Sequence, residues 1–325
     1  RTRSAVRTSL VLAASMFAAV FAPLVIAQTP DMPRAELIEG RNTLRHIPAE
    51  PRGLIFLFHG SGGSENFATN DTTQQALTPF LDAGYGFAAS ASLQRTEPRR
   101  WDLTTGSPET NADLAYMLDL HRRLLASGEI KADTPVFTMG MSNGGGMANL
   151  FGLAAKPAGV PVKGVADYLG PFPGPMTAMI AEGARPAPTF VVVAERDGLV
   201  SHTNVLAAAG RIMDLGVKVE THFKTETMLT PTAFTAIENI DEKVSSDIFA
   251  ELVKIGIVEA SGSRLFAAGE AVLTREHQAQ LLSALPESEN RRVIYRVLLT
   301  VWGAHMMRSD LAREQFEFFE AVRGQ

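Results

Sequence analysis

The chain of 325 residues contains no cysteine. This absence excludes disulfide bonds, thiolate metal sites and cysteine nucleophiles, and it also excludes a lipid anchor attached through a cysteine. The chain shows no low-complexity tract, no block of like charges and no repeat of fixed period. Such a composition is typical of a globular protein. The length suffices for one large α/β domain or for two ordinary domains.

The usual signatures of cofactor and metal binding are also missing. The glycine-rich stretch at 58–67, FHGSGGSENF, is not followed by the Gly-Lys-Ser/Thr of a phosphate-binding loop. It lacks the third glycine of a dinucleotide fingerprint, and no helix begins in register after it. The sequence has no His-x-x-x-His pair and no carboxylate cluster that would suggest a metal site. We therefore expect no cofactor and no metal.

Acidic residues outnumber basic residues in the chain, 35 to 30. The net charge is −5, and it becomes −8 without the three arginines near the start, a segment that contains no acidic residue. A nucleic-acid partner would require a basic stripe on the surface. We therefore expect no nucleic-acid partner, whereas the oligomeric state stays open.

The first 27 residues have the layout of a secretory signal peptide. Three arginines precede an apolar stretch at 10–27, which ends in the small residues that signal peptidase favours. Cleavage there would make Gln28 the first residue of the mature chain. A membrane anchor is the alternative, because about 18 apolar residues is borderline for spanning a bilayer. Pro23 favours cleavage, so we expect a secreted or periplasmic protein without stable membrane association.

Strand and helix patterns alternate from about residue 50 to residue 227. A continuous apolar run predicts a strand that is buried on both faces, as in a parallel sheet. The alternation predicts a mainly parallel sheet with helices on both faces. Strands are predicted at 53–60, 85–92, 134–140, 162–170, 187–195 and 217–224, with an edge strand near 42–47. Helices are predicted at 72–84, 107–129, 142–155 and 203–215.

The alternation breaks between residues 228 and 300. This segment predicts two or three helices and a short hairpin near 261–263. We interpret it as a mainly helical insertion, either a cap over the site or a decoration packed on the surface. The predicted organisation is therefore a signal peptide at 1–27, a first part of the core at 28–227, the insertion at 228–300 and a second part at 301–325 that contains a last helix at 307–324.

The stretch GMSNG at 140–144 places Ser142 where a strand pattern changes to a helix pattern. A G-x-S-x-G match is weak alone, but a strand, a tight turn and a helix are the setting that a nucleophilic serine requires. Gly140 and Gly144 would permit close packing around that turn. The alternative is a glycine-rich packing turn without chemistry. We predict that Ser142 is a nucleophile.

A serine hydroxyl needs a base, and the imidazole needs a carboxylate. Functional groups gather at the carboxyl ends of parallel strands. His305 lies in a loop before the last helix, and we favour it over His202 and His222. Asp197 follows the strong apolar strand VVVAE, and we favour it over Asp167 and Glu195.

The loop after the strand at 53–60 is rich in glycine, so its backbone N–H groups are free to face a developing negative oxygen. We predict an oxyanion hole formed by the N–H groups of Asn143 and of Ser61 or a neighbour such as Gly60. We also predict that His59 and Trp101 contact the substrate, although Trp101 could instead be a buried anchor. Arg99 or Arg100 could meet an acidic group of the substrate, and the alternative is that both arginines are solvated.

With HGSGG, GMSNGG, Asp197 and His305 in this order, the chain resembles the α/β-hydrolase superfamily over about 50–227 and 300–325. Within it the chain is similar to secreted esterases related to polyhydroxybutyrate depolymerases and feruloyl esterases. The resemblance implies an α/β-hydrolase fold and a serine carboxylic-ester hydrolase that forms an acyl-enzyme. Ser142 would be the nucleophile, Asp197 the acid and His305 the base.

The chain departs from those esterases in having no disulfide and in the insertion at 228–300. A peptidase on the same fold and an inactive binding protein are the alternative functions. The substrate would be a small-molecule or polymeric ester, with its acyl and alcohol parts undetermined.

Overall fold

The computed structural model describes residues 33–265, 279, 280, 283, 285 and 291–325. The predicted signal peptide and part of the predicted insertion at 228–300 lie outside the described residues. Among the described helices, none combines the length and the apolar character that crossing a bilayer requires.

Eight strands of the described chain form a single sheet. They are β1 (Arg34–Ile38), β2 (Arg41–His46), β3 (Leu54–Phe58), β4 (Gly86–Ser90), β5 (Val136–Met141), β6 (Val162–Tyr168), β7 (Thr189–Ala194) and β8 (Val219–Lys224). Their order is β1-β2-β4-β3-β5-β6-β7-β8. The pairs β1–β2 and β2–β4 are antiparallel, and every later pair is parallel. This is the predicted fold class, an α/β-hydrolase fold.

Helices of the described chain cover both faces of the sheet, and two more of its helices lie between β8 and the last helix. They are α1 (Asp71–Asp82), α2 (Ala112–Ala126), α3 (Asn143–Ala154), α4 (Gly174–Ala181), α5 (His202–Asp214), α6 (Glu242–Lys254), α7 (Arg291–Val301) and α8 (Ala312–Val322). All five residues of β3 are buried. Because side chains alternate along a strand, Phe56 and Phe58 pack with α2 and α3, whereas Ile55 and Leu57 pack with α1 and α8. β3 is therefore apolar and buried on both faces, as the sequence predicts.

The first strand, β1, was not predicted, because its sequence RAELI is short and shows no long apolar run, and most of its residues are exposed. It forms a hairpin with β2 through Glu39 and Gly40, whose φ angles are 48° and 76°. A two-residue turn with both φ angles positive matches the twist of an antiparallel pair. The hairpin lies at the edge of the sheet, where a strand needs little apolar surface.

A separate hydrophobic cluster lies between β8 and α8 in the chain. Its buried side chains include Phe234, Leu252, Ile294, Leu298 and Trp302. They come from the turns before α6, from α6, from α7 and from the turn directly after α7, and none of them belongs to the clusters that cover the sheet. The segment therefore buries apolar surface of its own. Its interpretation as a cap stays a prediction.

Candidate active site

The turn between β5 and α3 holds Ser142 in a backbone conformation that few residues other than glycine adopt, with φ 59° and ψ −125°. Such a conformation costs about 1–3 kcal/mol and persists only where the surroundings impose it. A Cβ at Gly140 would overlap the carbonyl of Gly144, and a Cβ at Gly144 would overlap the carbonyl of Phe58. The two glycines of the motif thus let the strand, the turn and the helix pack against one another.

Asp197 and His305 are brought together at the carboxyl end of the sheet, although they lie 108 residues apart. The distance between His305 Nδ1 and Asp197 Oδ2 is 2.7 Å. The other carboxylate oxygen, Oδ1, accepts hydrogen bonds of 2.9 Å from the N–H groups of Leu199 and Val200. Both side chains are almost completely buried. Three donors thus compensate for the burial of the carboxylate and fix its orientation.

The contact with Asp197 decides which nitrogen of His305 is free. A carboxylate accepts the proton of Nδ1, so Nε2 of the neutral ring is left as the acceptor. His305 Nε2 makes no hydrogen bond with the described residues. Neither does Ser142 Oγ, so no hydrogen bond joins the two groups in this structure. Catalytic hydrogen bonds are often long in structures without substrate and tighten when it binds.

Ser142 and His305 line the same cleft, which has a volume of about 460 Å³. One side of the cleft is polar backbone from the loop after β3 and the start of α3. The remainder is mainly apolar, and Arg100 is its cationic side chain. The lining residues are Gly60, Ser61, Arg100, Leu103, Met141, Ser142, Asn143, Pro171, Leu199, Val200 and His305.

The backbone N–H groups of Ser61 and Asn143 flank this cleft. Asn143 is the first residue of α3, so its N–H has no acceptor inside the helix. Neither N–H forms a hydrogen bond with the described part of the chain. The loop that carries Ser61 is held by a bond of 2.8 Å from Gly62 N to Arg99 O. Two free donors beside a helix N-terminus suit a developing negative charge.

The side chain of Asn143 forms hydrogen bonds with the backbone of a neighbouring loop. Its Oδ1 accepts a hydrogen bond of 2.7 Å from the N–H of Trp101, and its Nδ2 donates to the carbonyl of Trp101 at 3.2 Å. The residue after the serine therefore joins the loop at 93–103 to the start of α3. This tie could not be predicted from the sequence, because the two residues are 42 positions apart.

His59 and Trp101, which the sequence predicts to contact the substrate, are both buried, and neither is among the residues that line the cleft. Their contact with the substrate stays a prediction. His59 Nε2 accepts a hydrogen bond of 3.0 Å from Ser92 N, and Nδ1 lies 2.7 Å from Gly60 O. Burial lowers the pKa of His59, so the ring is neutral. Trp101 Nε1 donates to the carbonyl of His59 at 3.0 Å. These two buried residues are hydrogen-bonded to each other next to the loop after β3. This arrangement agrees with the alternative for Trp101, that of a buried anchor.

The structure places the rival residues away from the cleft. His222 lies in β8 and bonds to Glu220 at 2.8 Å, and His202 begins α5. Asp167 is buried beside α3, where its Oδ2 accepts a bond of 2.6 Å from Asn149, and burial raises its pKa well above the usual value. Glu195 accepts a hydrogen bond of 3.0 Å from the backbone N–H of Glu226, in the loop after β8. None of these four lines the cleft.

Some site residues escaped sequence reasoning. Leu199 and Val200 supply the N–H groups that orient Asp197, and they also line the cleft. A signal was present, since an aspartate followed by Gly198 commonly accepts bonds from the backbone two or three residues ahead. Pro171 and Met141 form apolar wall, and nothing in their local sequence distinguishes them.

Within the described residues, no group of three or more histidine and acidic side chains is placed to hold a metal ion.

No protein-family model matches the sequence. The chain is similar to a putative phosphoribosyl transferase of Mycobacterium tuberculosis, found in two strains, with 31% identity over 170 residues. The match covers 50% of this chain and 34% of that protein. It thus spans only about a third of the length of these relatives, and it carries no activity over to this chain.

The structure is also similar to those of known esterases. An acetyl xylan esterase from Aspergillus awamori has 13% identity and a TM-score of 0.44, over 53% of this chain and 75% of that one. The esterase PE8 has 17% identity and a TM-score of 0.44, over 69% of this chain and 99% of that one. Similarity at this level decides nothing about the reaction.

Proposed function

We propose that this chain is a serine hydrolase that cleaves carboxylic esters through an acyl-enzyme, with Ser142 as nucleophile, His305 as base and Asp197 as acid. The observation that carries the proposal is the buried Asp197–His305 pair, which opens onto the cleft that also holds the strained Ser142. A pair that leaves one imidazole nitrogen free beside an exposed hydroxyl is the arrangement that activates a serine.

In the first half of the proposed reaction, Ser142 Oγ attacks the ester carbonyl while His305 Nε2 takes the hydroxyl proton. Asp197 holds the Nδ1 proton and stabilises the imidazolium that forms. The carbonyl oxygen becomes negative and accepts hydrogen bonds from the N–H groups of Ser61 and Asn143. The C–O bond to the alcohol then breaks, and the alcohol leaves with the proton from His305.

In the second half, water attacks the acyl-enzyme. His305 Nε2 takes a proton from the water, and the same two N–H groups again receive the negative oxygen. Collapse releases the carboxylic acid and returns the proton to Ser142 Oγ. No group beyond the residues named and water is needed for the cycle to balance.

The finer assignments are also proposals. The motifs HGSGG and GMSNGG support a place near the secreted esterases related to polyhydroxybutyrate depolymerases and feruloyl esterases. The arginines and the apolar stretch at the start of the chain support export with cleavage after Ala27. Mass determination of the protein recovered from the medium or periplasm of its host tests the export. A first residue other than Gln28 would contradict the proposed cleavage site.

The experiment that tests the chemistry is labelling of the purified protein with a fluorophosphonate probe, followed by peptide mass spectrometry. We expect covalent modification of Ser142 and none in Ser142→Ala, with the thermal midpoint nearly unchanged in that variant. His305→Ala should also lose the labelling, whereas the matched control His222→Ala should keep it. A folded protein that stays unlabelled at Ser142 contradicts the proposal and favours a binding protein on the same fold.

A further inference from the structure

The loop between β4 and α2 carries three arginines, and two of them have partners. Arg95 forms an ion pair with the buried Asp113, and Arg99 Nε donates to Gln94 Oε1 at 2.7 Å. Arg100 forms no side-chain hydrogen bond or ion pair with the described residues, and its side chain lines the cleft that contains Ser142. Of the three guanidinium groups, the one at the cleft is thus the one left for a ligand.

The backbone on either side of Arg100 is fixed. The carbonyl of Arg99 accepts a bond of 2.8 Å from Gly62 N, and Trp101 is tied to Asn143 through both its N–H and its carbonyl. Arg100 is therefore anchored on both sides to the segments that carry the proposed oxyanion donors. A ligand that binds its guanidinium has only the side chain to order, which keeps the entropic cost of binding low.

The rest of the cleft wall does not neutralise this charge. Apart from Arg100 and the imidazole of His305, the side chains that line the cleft are uncharged. No acidic residue is among the described residues that line it. The largest exposed apolar side chain there is Leu199, which is 67% exposed. The cleft thus combines one cationic group with apolar walls, inside a chain whose net charge is −5.

We propose that Arg100 binds a carboxylate of the substrate, so that the ester cleaved here carries a negative charge on its acyl or alcohol part. The proposal rests on the proposed ester hydrolysis and names its substrate class. The planar guanidinium matches a carboxylate with two parallel hydrogen bonds. One arginine among apolar walls balances a single charge, which suits a monoanionic carboxylate better than a doubly charged phosphate.

Two matched pairs of esters test this. In the first pair, 4-acetoxybenzoate and 4-acetoxybenzamide differ in charge on the alcohol part. In the second, monomethyl glutarate and the methyl ester of glutaric acid monoamide differ in charge on the acyl part. We expect kcat/KM of the wild-type protein to favour the anionic member of one pair by about tenfold. Arg100→Gln should lose this preference, because the rate on the anionic member falls by more than the rate on the neutral member.

The matched control is Arg99→Gln, which removes the neighbouring guanidinium that is bonded to Gln94 and should keep the preference. The proposal is overturned if the wild-type protein prefers neither anionic ester, or if Arg100→Gln keeps the preference. It is also overturned if Arg100→Gln slows both members of a pair equally.

A failure of the proposed hydrolysis is recognised separately, because then no ester is turned over and Ser142 is not labelled. In that event, calorimetric titration of Ser142→Ala with the same four esters still tests Arg100. Tighter binding of an anionic ester that depends on Arg100 supports its role, and equal binding of both members of each pair contradicts it.

Discussion

At the scale of single residues, hydrogen bonds from the backbone fix the orientation of the Asp197 carboxylate independently of His305. The N–H groups of Leu199 and Val200 both point to Oδ1, so Oδ2 is the oxygen that meets His305. The carboxylate cannot rotate without breaking two hydrogen bonds. The tautomer of the imidazole is therefore determined by the turn at 197–200, which contains neither Ser142 nor His305.

Asp197→Asn tests this account. The two N–H groups should keep the amide oxygen of the asparagine in the place of Oδ1, which turns its NH₂ group towards His305 Nδ1. The proton of the ring then moves to Nε2, which can no longer act as a base. We expect kcat on an activated ester to fall by about 10³ to 10⁴-fold, with a small change in thermal midpoint.

The control for that variant is Glu195→Gln, which alters the rival carboxylate and should keep nearly full activity. If Asp197→Asn retained more than about a tenth of the activity, Asp197 would not be the partner of a catalytic histidine.

His121 is a second residue whose environment has a measurable consequence. It is buried in α2 against Phe56, and its Nε2 makes no hydrogen bond with the described residues. Burial lowers the pKa of this histidine in the folded protein. As the pH falls through about 6.5, this histidine binds a proton in the unfolded chain but not in the folded chain. The free energy of unfolding therefore decreases on acidification.

We expect His121→Leu to weaken this pH dependence and to raise the free energy of unfolding by about 1 kcal/mol, since an unpaired buried polar atom is removed. Urea unfolding at pH 7.5 and pH 5.5 measures both effects. His59 should keep part of the dependence, because burial lowers its pKa as well. A variant that loses as much stability on acidification as the parent would contradict the account.

At the scale of elements, the start of α2 organises the loop that borders the cleft. Asp113 lies in the first turn of α2 and is fully buried. Its carboxylate accepts hydrogen bonds from Arg41 at 2.5 Å, from Arg95, and from the N–H groups of Leu93 and Asp102. Burial alone would raise its pKa, but the bonds from Arg95 and the two N–H groups bring the pKa below the usual value. One side chain thus ties both ends of the loop to the helix.

Asp113→Asn leaves the charge of Arg41 buried without a counter-charge. We expect the free energy of unfolding to fall by about 3 kcal/mol, in the range found when one partner of a buried ion pair is removed. Activity should fall as well, because the loop holds Asn143 through Trp101. The control on the same helix is Asp119→Asn, whose pair with Arg123 is partly exposed and should contribute at most about 1 kcal/mol. Equal effects of the two variants, measured by urea unfolding, would refute the special role of Asp113.

The strands and helices could be predicted where the local sequence pattern alone determines the structure and no contact from elsewhere in the chain changes it. The apolar runs that became β3, β5 and β7 need no context to be recognised. The start of α2 was predicted near Ser107, but the helix begins at Ala112 with Asn111 as its N-cap. Asn111 also donates to the carbonyls of Asp102 and Thr105, so contacts outside the helix decide between two possible caps.

Site residues could be predicted from the sequence where the chemistry requires a particular residue type. Sequence reasoning does not reach features that depend on how side chains pack in the folded protein. Ser142, Asp197 and His305 were chosen because each follows the carboxyl end of a strand or precedes the last helix, and the structure brings the last two into contact. His59 occupies an equivalent position, but its ring is turned inward to Ser92, a partner 33 residues away. No local pattern distinguishes a histidine that faces a cleft from one that supports it.

At the scale of the whole molecule, the proposed base depends on two hydrophobic clusters. Ser142 and Asp197 follow strands of the sheet, whereas His305 follows α7, which belongs to the cluster of Phe234, Leu252 and Trp302. The N–H of Ala304 bonds to the carbonyl of Leu299 in α7 at 3.0 Å. The position of His305 therefore depends on the folding of α7.

Hydrogen exchange followed by mass spectrometry tests whether the two clusters open separately. Because the segment at 229–265 buries its apolar side chains in its own cluster, we expect it to open at lower urea concentrations than β3 and β5. Activity should disappear with that first opening, while the sheet is still protected. Simultaneous loss of protection in both regions would show one cooperative unit instead.

The contact between Asp197 and His305 also closes a loop of 108 residues that encloses the whole segment between β8 and the histidine. The entropy lost on closing a flexible loop grows only with the logarithm of its length, so that a doubling costs about 0.6 kcal/mol. An enclosed segment that folds on its own adds even less. A segment inserted between Asp197 and His305 therefore adds little to the entropic cost of bringing these two residues together, even when the segment is long.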